Sequence, residues 1–287
     1  MTAQLLDGRA LARTMSREIA TEVAAFHAAH DVTPGIAVVQ VGADPASSAY
    51  VGQIERAFAR AGMSFTLERL QADATDQQLT LLLQALNSDP QVHGVIVQMP
   101  LPLHLPQALV TDLLDPGKDV DGIHPFNAGR LMQQSGDYFA PATPAGGMEL
   151  LRRYGISLTG KHAVMVGRSN VVGRPMALLM LHEHATVTIC HSRTPDLAAV
   201  CRQADVLVAA VGRPGMITGG MIRPGAVVVD FGMNVVEGQI IGDVDFASAQ
   251  EVAGWITPVP GGTGPLTNIM LLRNTLQAAR RQVAHSD

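Results

Sequence analysis

Short, nearly uninterrupted β-branched runs alternate with longer stretches of helical period along almost the whole chain. "GIAVVQVG" (35–42), "FTLERL" (65–70) and "VHGVIVQMPLP" (92–102) lie in the first half. "KHAVMVG" (161–167), "ATVTIC" (185–190), "ADVLVAAVG" (204–212) and "GAVVVDFG" (225–232) lie in the second. Runs without polar alternation belong to strands buried on both faces, and such strands are found in parallel sheets covered by helices. The intervening segments supply those helices. Residues 7–30 form a long one capped by Asp7, and Thr75 opens another. A third, 47–61, is capped by Ser47 or Ser48, ends at Gly62, and carries the stripe Tyr50, Ile54, Ala57 and Ala61. The last helix starts at the "GPLT" of 264–267, with Pro265 in its first turn.

The alternation breaks over 115–144, where four prolines and four glycines fall within thirty residues. A long loop or a domain junction is expected there. The fold class is therefore α/β, as two α/β domains with a cleft between them. At 287 residues and 47% hydrophobic, the chain can give each domain its own core. A net charge of −5 with no basic block argues against nucleic acid. No apolar run approaches the ~18 residues of a membrane span. The N-terminus has no signal-like apolar core, and the two cysteines, Cys190 and Cys201, have no metal spacing. These features lead us to expect a soluble cytoplasmic protein.

Chemistry concentrates at a few places. "HAVMVGRSNVVGRPMALLML" reads as strand, glycine turn and helix, the setting in which loop amides and a helix N-terminus receive a pyrophosphate. The turn is Gly167-x-Ser169-x-x-x-Gly173, with serine at the second glycine and one extra residue. The second domain is thus Rossmann-like. At the end of its second strand, where an NAD site usually carries a carboxylate, stand His191, Ser192 and Arg193, and Arg168 lies in the first turn. Cations and a hydroxyl suit a 2′-phosphate, so NADP is expected over NAD. In the first domain, "KDVDG" (118–122) lacks the ligands of a calcium loop. One of its aspartates shapes the turn, while the other either faces a ligand or completes an Asx-turn. Gln98 ends a strand at "QMPLP", and "TPVPGGTGPLT" (257–267) is a glycine-rich loop. The histidine pairs His27/His30 and His182/His184 suggest no metal site.

These segments, taken in order, resemble the bifunctional methylenetetrahydrofolate dehydrogenase/methenyltetrahydrofolate cyclohydrolase family. "QMPLP", "KDVDGIHPFNAGRL", "GRSNVVGRPMALLM" and "TPVPGGTGPLT" carry the resemblance, which runs from "LLDGRALA" almost to the C-terminus. It implies a folate-binding catalytic domain of residues 1–140 plus 267–287 and an NADP domain of 141–266. Asp121 would anchor the pterin, with Gln98 and Tyr50 beside the reacting carbon and Pro265 against the substrate. Gly167, Arg168, Ser169, Ser192, Arg193 and Met233 would contact the cofactor. The family also implies a homodimer joined through the NADP domain and a role in one-carbon metabolism and purine biosynthesis.

One position departs from the pattern. Four residues after the tyrosine the family carries a lysine; here Ile54 stands there, and no lysine occurs before Lys118. Hydride transfer to NADP needs alignment more than acid–base help. Hydrolysis of the methenyl group needs protons moved, and isoleucine has none to exchange. The expectation is a dehydrogenase with severely impaired cyclohydrolase activity. The alternatives are a fully bifunctional enzyme working through Tyr50, Gln98 and water, and a catalytically silent folate- and NADP-binding paralogue.

Overall fold

The computed structural model describes residues 2–42 and 44–286. Its elements in the first half are β1 (Gln4–Leu5), α1 (Gly8–His30), β2 (Gly35–Val41), α2 (Pro45–Ala61), β3 (Ser64–Leu70), α3 (Asp76–Ser88), β4 (Gly94–Val97), α4 (Gln107–Leu113) and α5 (Pro125–Gln133). The second half adds α6 (Ala142–Arg153), β5 (His162–Val166), α7 (Gly173–His182), β6 (Thr186–Cys190), α8 (Leu197–Cys201), β7 (Val206–Ala209) and β8 (Val227–Asp230). It closes with β9 (Asn234–Val236), β10 (Gln239–Ile241), α9 (Phe246–Ala249), β11 (Trp255–Ile256) and α10 (Gly264–Ser286). The chain divides into two compact units.

One unit holds Thr14–Ala142 and the chain from Asn268 onward. Its sheet has three parallel strands in the order β3-β2-β4. The β2 run Ile36–Val39 is buried on both faces. Ala37 and Val39 join Val95 and Val97 against Leu79, Leu83 and Leu86 of α3 and Val110 of α4. Thr75 closes a capping box with Gln78 at the start of α3.

The other unit holds the residues up to Arg13 and Thr143–Thr267. Its sheet is β1-β11-β8-β7-β5-β6, parallel throughout. The first thirteen residues cluster with this unit, whereas the sequence reading put them in the folate domain, because β1 pairs with β11, Gln4 opposite Trp255. Asp7 accepts from the Ala10 amide at 2.9 Å, the cap expected of it, and its own amide donates to the Tyr154 hydroxyl. The segment 115–144 is likewise not all loop. Pro125 occupies the first turn of α5, where its missing N–H costs nothing, and His124 caps that helix.

Candidate active site

Helix α2 starts earlier than its serines suggested. Asp44 is the N-cap, accepting from the Ser47 amide at 2.8 Å, and Pro45 opens the first turn. Ser47 and Ser48 are thereby freed for other partners. Ser48 Oγ accepts from Gln40 Nε2 at 3.0 Å, and Ser47 Oγ donates to Gln98 Oε1 at 3.5 Å. The first turn of α2 is thus tied to the carboxyl ends of β2 and β4, the end at which α/β sites form. Tyr50 follows within the same turn and a half. At the other end Gly62, with φ of 72°, closes the helix through bonds to Ala59 and Phe58.

The two aspartates of 118–122 divide their tasks. Asp119 is buried and shapes the turn: its carboxylate accepts from the Ile123 and His124 amides at 3.2 and 2.8 Å and from Asn127 Nδ2 at 2.8 Å. Gly122 completes the turn at φ of +71°, with backbone of 139–141 where a Cβ would lie. Asp121 is half-buried, and its carboxylate makes no hydrogen bond to any described residue. Burial, reinforced by the nearby Asp119 charge, pushes its pKa up to about 7. Tyr50 senses it: burial and then the Asp121 charge push the phenol above its ordinary range. At neutral pH Tyr50 is therefore a donor, and Asp121 sits near its own titration point.

Ile54 is fully buried. The buried stripe of α2 runs Val51, Ile54, Phe58, Ala61, whereas Tyr50 and Ala57 lie at its edge. The stripe read from sequence was therefore rotated by part of a turn. Glu55 and Arg56 are exposed and do not take over Ile54's position.

In the other unit, Gly167 ends β5 at φ of +128°, and a Cβ there would lie 2.2 Å from the Ala210 carbonyl just beyond β7. Since β5 pairs with β6 on one side and β7 on the other, this is the topological switch point of the sheet. Gly173 is equally constrained: a Cβ would meet the Gly167 carbonyl at 2.5 Å. Ser169 Oγ accepts from the Val172 and Gly173 amides, both at 3.1 Å, and the Arg174 amide bonds to the Ser169 carbonyl. Pro175 has no N–H to offer. The amides that start α7 are therefore committed, contrary to the expectation that the helix N-terminus receives a pyrophosphate. The amides of 168–171 make no bond to a described residue, and Arg168, Ser169 and Asn170 are exposed. Ser192 and Arg193 are exposed beyond β6, and Met233 is exposed before β9. Pro265 is half-buried in the first turn of α10 and clusters with this unit.

Asp243 escaped the sequence reading. Fully buried, it accepts from the Val211, Gly212 and Arg213 amides at 2.5, 3.0 and 2.8 Å and from Asn234 Nδ2 at 2.9 Å. It fixes the loop after β7, next to the switch point. Its three amide partners lie 30–32 residues upstream, so no local pattern marks its hold on that loop.

Two family models cover the chain, with a change-over near residue 141 like that of the two units but with different bounds at the two ends. The tetrahydrofolate dehydrogenase/cyclohydrolase catalytic domain matches residues 6–121, and the NAD(P)-binding domain of the same name matches 141–283. The Bifunctional protein FolD of Roseiflexus sp. (strain RS-1) is 54% identical over 285 residues, 99% of each chain. The bifunctional FolD methylenetetrahydrofolate dehydrogenase/cyclohydrolase of Campylobacter jejuni superposes with a TM-score of 0.95 at 41% identity, covering 97% of this chain and 99% of that one. The Trypanosoma brucei enzyme, solved with NADP cofactor and inhibitor, gives 0.94 at 37% identity over 99% of both chains. Matched by both family models and by relatives along nearly its whole length, the chain belongs to the tetrahydrofolate dehydrogenase/cyclohydrolase family.

Proposed function

We propose that this protein oxidises 5,10-methylenetetrahydrofolate to 5,10-methenyltetrahydrofolate with NADP, and that its hydrolysis of the methenyl product to 10-formyltetrahydrofolate is severely reduced. Family membership supports the first half. One observation carries the second: Ile54, which exchanges no proton, stands one helical turn from a tyrosine held in its protonated form.

The cofactor fits the residues present. Gly167 and Gly173 let backbone approach closely, the 168–171 amides are uncommitted, and Arg168, Ser192 and Arg193 offer two cations and a hydroxyl for a 2′-phosphate. NADP, when bound, supplies the hydride acceptor. The chain's own residues do the rest. Asp121 accepts two N–H bonds from the amidine-like edge of the pterin, which favours its charged form. Gln98, held by Ser47, and Tyr50 position the one-carbon bridge. As hydride leaves, positive charge spreads over the N–C–N unit, and a nearby ammonium would oppose it. Ile54 is therefore compatible with the dehydrogenase step.

Hydrolysis asks for more. Water must add to the methenyl carbon and give up a proton, and general acid–base help is typically worth 10²–10⁴-fold. Tyr50 is further from serving as a base here than a free phenol, and Asp121 is occupied by the pterin. The alternative of full bifunctionality through Tyr50, Gln98 and water is weakened accordingly. The silent-paralogue alternative has no support from the intact cofactor turn. A homodimer through the NADP unit belongs to the same proposal; the exposed Met233, Val235, Val236 and Ile240 on and beside the β9–β10 hairpin give it an apolar surface. So do a cytoplasmic site and a contribution to one-carbon supply for purine synthesis.

The test mixes the protein with methylenetetrahydrofolate and NADP and follows NADPH and the methenyl product separately. NADPH formation with accumulating methenyltetrahydrofolate is expected. Prompt conversion to the formyl product above the uncatalysed rate would refute the hydrolytic deficit, and absence of NADPH would refute the dehydrogenase assignment.

A further inference from the structure

Asn268 Oδ1 is buried without a hydrogen-bond partner, the one such side-chain atom among the described residues. Buried acceptors are almost always paired, and an unpaired one lowers stability, so it calls for an explanation. The course of α10 shows where Asn268 stands. Thr275 Oγ1 lies so near Gly94, at the start of β4, that a Cβ there would be 3.1 Å away. Asn274 Nδ2 donates to the Val120 carbonyl at 2.7 Å. Two turns further on, Gln282 Nε2 donates to the Pro90 carbonyl at 2.9 Å.

The later residues of α10 thus meet earlier residues of the β4 segment: helix and strand run antiparallel. Asn268 precedes Thr275 by seven residues, which returns it to the same helix face about 10.5 Å away along the axis. Gln98 lies four residues beyond Gly94, about 13 Å along the strand. Asn268 is therefore level with Gln98, on the helix that also holds the carbonyl immediately before Asp121. Among the described residues, the unit places Gln98, Asp121 and an unpaired amide oxygen at one end of its sheet.

We infer that Asn268 is a substrate-binding residue whose Oδ1 accepts a hydrogen bond from a ring N–H of the bound tetrahydropterin. The inference rests on the functional reading above and deepens it. A reduced pterin has more N–H donors than the two that Asp121 accepts, so a buried, unpaired acceptor nearby has a donor to meet. A neutral amide meets that need without a second carboxylate charge beside Asp121. An acceptor that is dry before binding gives up no water when the ligand arrives, so the new bond counts almost in full.

The experiment is calorimetric titration of the full-length protein and of Asn268→Val, with tetrahydrofolate and separately with NADP, alongside thermal unfolding. The variant is expected to bind tetrahydrofolate about tenfold or more weakly, a loss typical of leaving one ligand donor unpaired. NADP affinity should be unchanged, and Tm equal or higher because the unpaired acceptor is gone. Unchanged tetrahydrofolate affinity would overturn the inference, as would an equal loss of NADP affinity, which signals general damage. If the parent protein binds no tetrahydrofolate, the functional reading falls and this inference with it.

Discussion

Placing a lysine at position 54, in the middle of α2, is the most direct probe of the reaction balance. Ile54→Lys removes a fully buried side chain from between Val51 and Phe58, a loss of about 1.5–3 kcal/mol of apolar burial. The lysine stem recovers part of it by lying along the same stripe with its ammonium carried toward Tyr50 at the stripe's edge. Net destabilisation of about 1–3 kcal/mol follows, enough to lower Tm by several degrees without unfolding the protein. Burial will push the new amine's pKa down while the Asp121 charge pushes it up, leaving a group able to exchange a proton. Hydrolysis of methenyltetrahydrofolate, read as its decay above the uncatalysed rate, should rise by about 10²–10⁴-fold. NADPH formation should stay level or fall, because the added cation faces the positive charge that develops as hydride leaves. Ile54→Met, which keeps the volume and adds no proton, should change neither rate by more than a few-fold. A folded, NADP-reducing Ile54→Lys protein that hydrolyses no faster than its parent would refute the reasoning and place the deficit elsewhere.

Further outcomes follow from the geometry. Because burial and Asp119 hold Asp121 near 7, kcat/KM for methylenetetrahydrofolate should fall as pH drops below about 7, approaching tenfold per pH unit, and Asp121→Asn should abolish that dependence along with most folate affinity. The same raised pKa means the folded state holds a proton that the unfolded state has released between about pH 4 and 7. Stability therefore declines as pH rises through that window, and Asp121→Asn should be the more stable protein at pH 8 in thermal unfolding. A smaller decline should persist from Asp230, whose pKa burial raises to about 6. Gly167→Ala should lower NADP affinity by at least tenfold, measured by fluorescence titration, since its Cβ meets the Ala210 carbonyl at 2.2 Å and its φ is +128°. Arg193→Ser should weaken NADP by about 10–100-fold and leave NAD binding unchanged, the size of one charge-assisted contact to a 2′-phosphate.

What could be read from the sequence was whatever has a local period or a local partner. The apolar runs of β2, β4, β5, β7 and β8, the Thr75 capping box and the Gly62 terminus each involve residues a few positions apart. The elements that were missed have no such signature. Two-residue strands such as β1 and β11 show no alternation, and their pairing joins Gln4 to Trp255 across most of the chain. The β9–β10 hairpin is three residues a side. Helix α5 was hidden because prolines read as breakers, although Pro125 sits at the one helical position that needs no N–H. The candidate site divided the same way. Tyr50, Gln98 and Asp121 are marked by motifs, and the Asp119 turn clamp, with partners four to eight residues on, was legible too; the tie of Ser47 to Gln98 and the hold of Asp243 on the β7 loop join residues far apart in the chain, and no local pattern marks the unpaired oxygen of Asn268.

The burial of Ile54 also shows what isoleucine gains over lysine at this position. Tyr50 and Ile54 lie four residues apart, about 40° around the helix, so one faces the edge of the core stripe and the other its centre. A lysine at the central position must lay its stem along Val51 and Phe58 and carry a partly desolvated amine out to the edge beside Tyr50. Isoleucine removes that cost, adds packing, and relieves the hydride-transfer step of an opposing cation. The only reaction that loses by it is the one that must move a proton. On the proposed function, isoleucine at 54 gains stability over lysine at the expense of hydrolysis. The two changes should therefore be separable by charge. A neutral polar residue, Ile54→Gln, should incur most of the stability loss of lysine and recover almost none of the hydrolysis. If Ile54→Gln hydrolysed as fast as Ile54→Lys, positioning of water rather than proton exchange would be what the isoleucine removes.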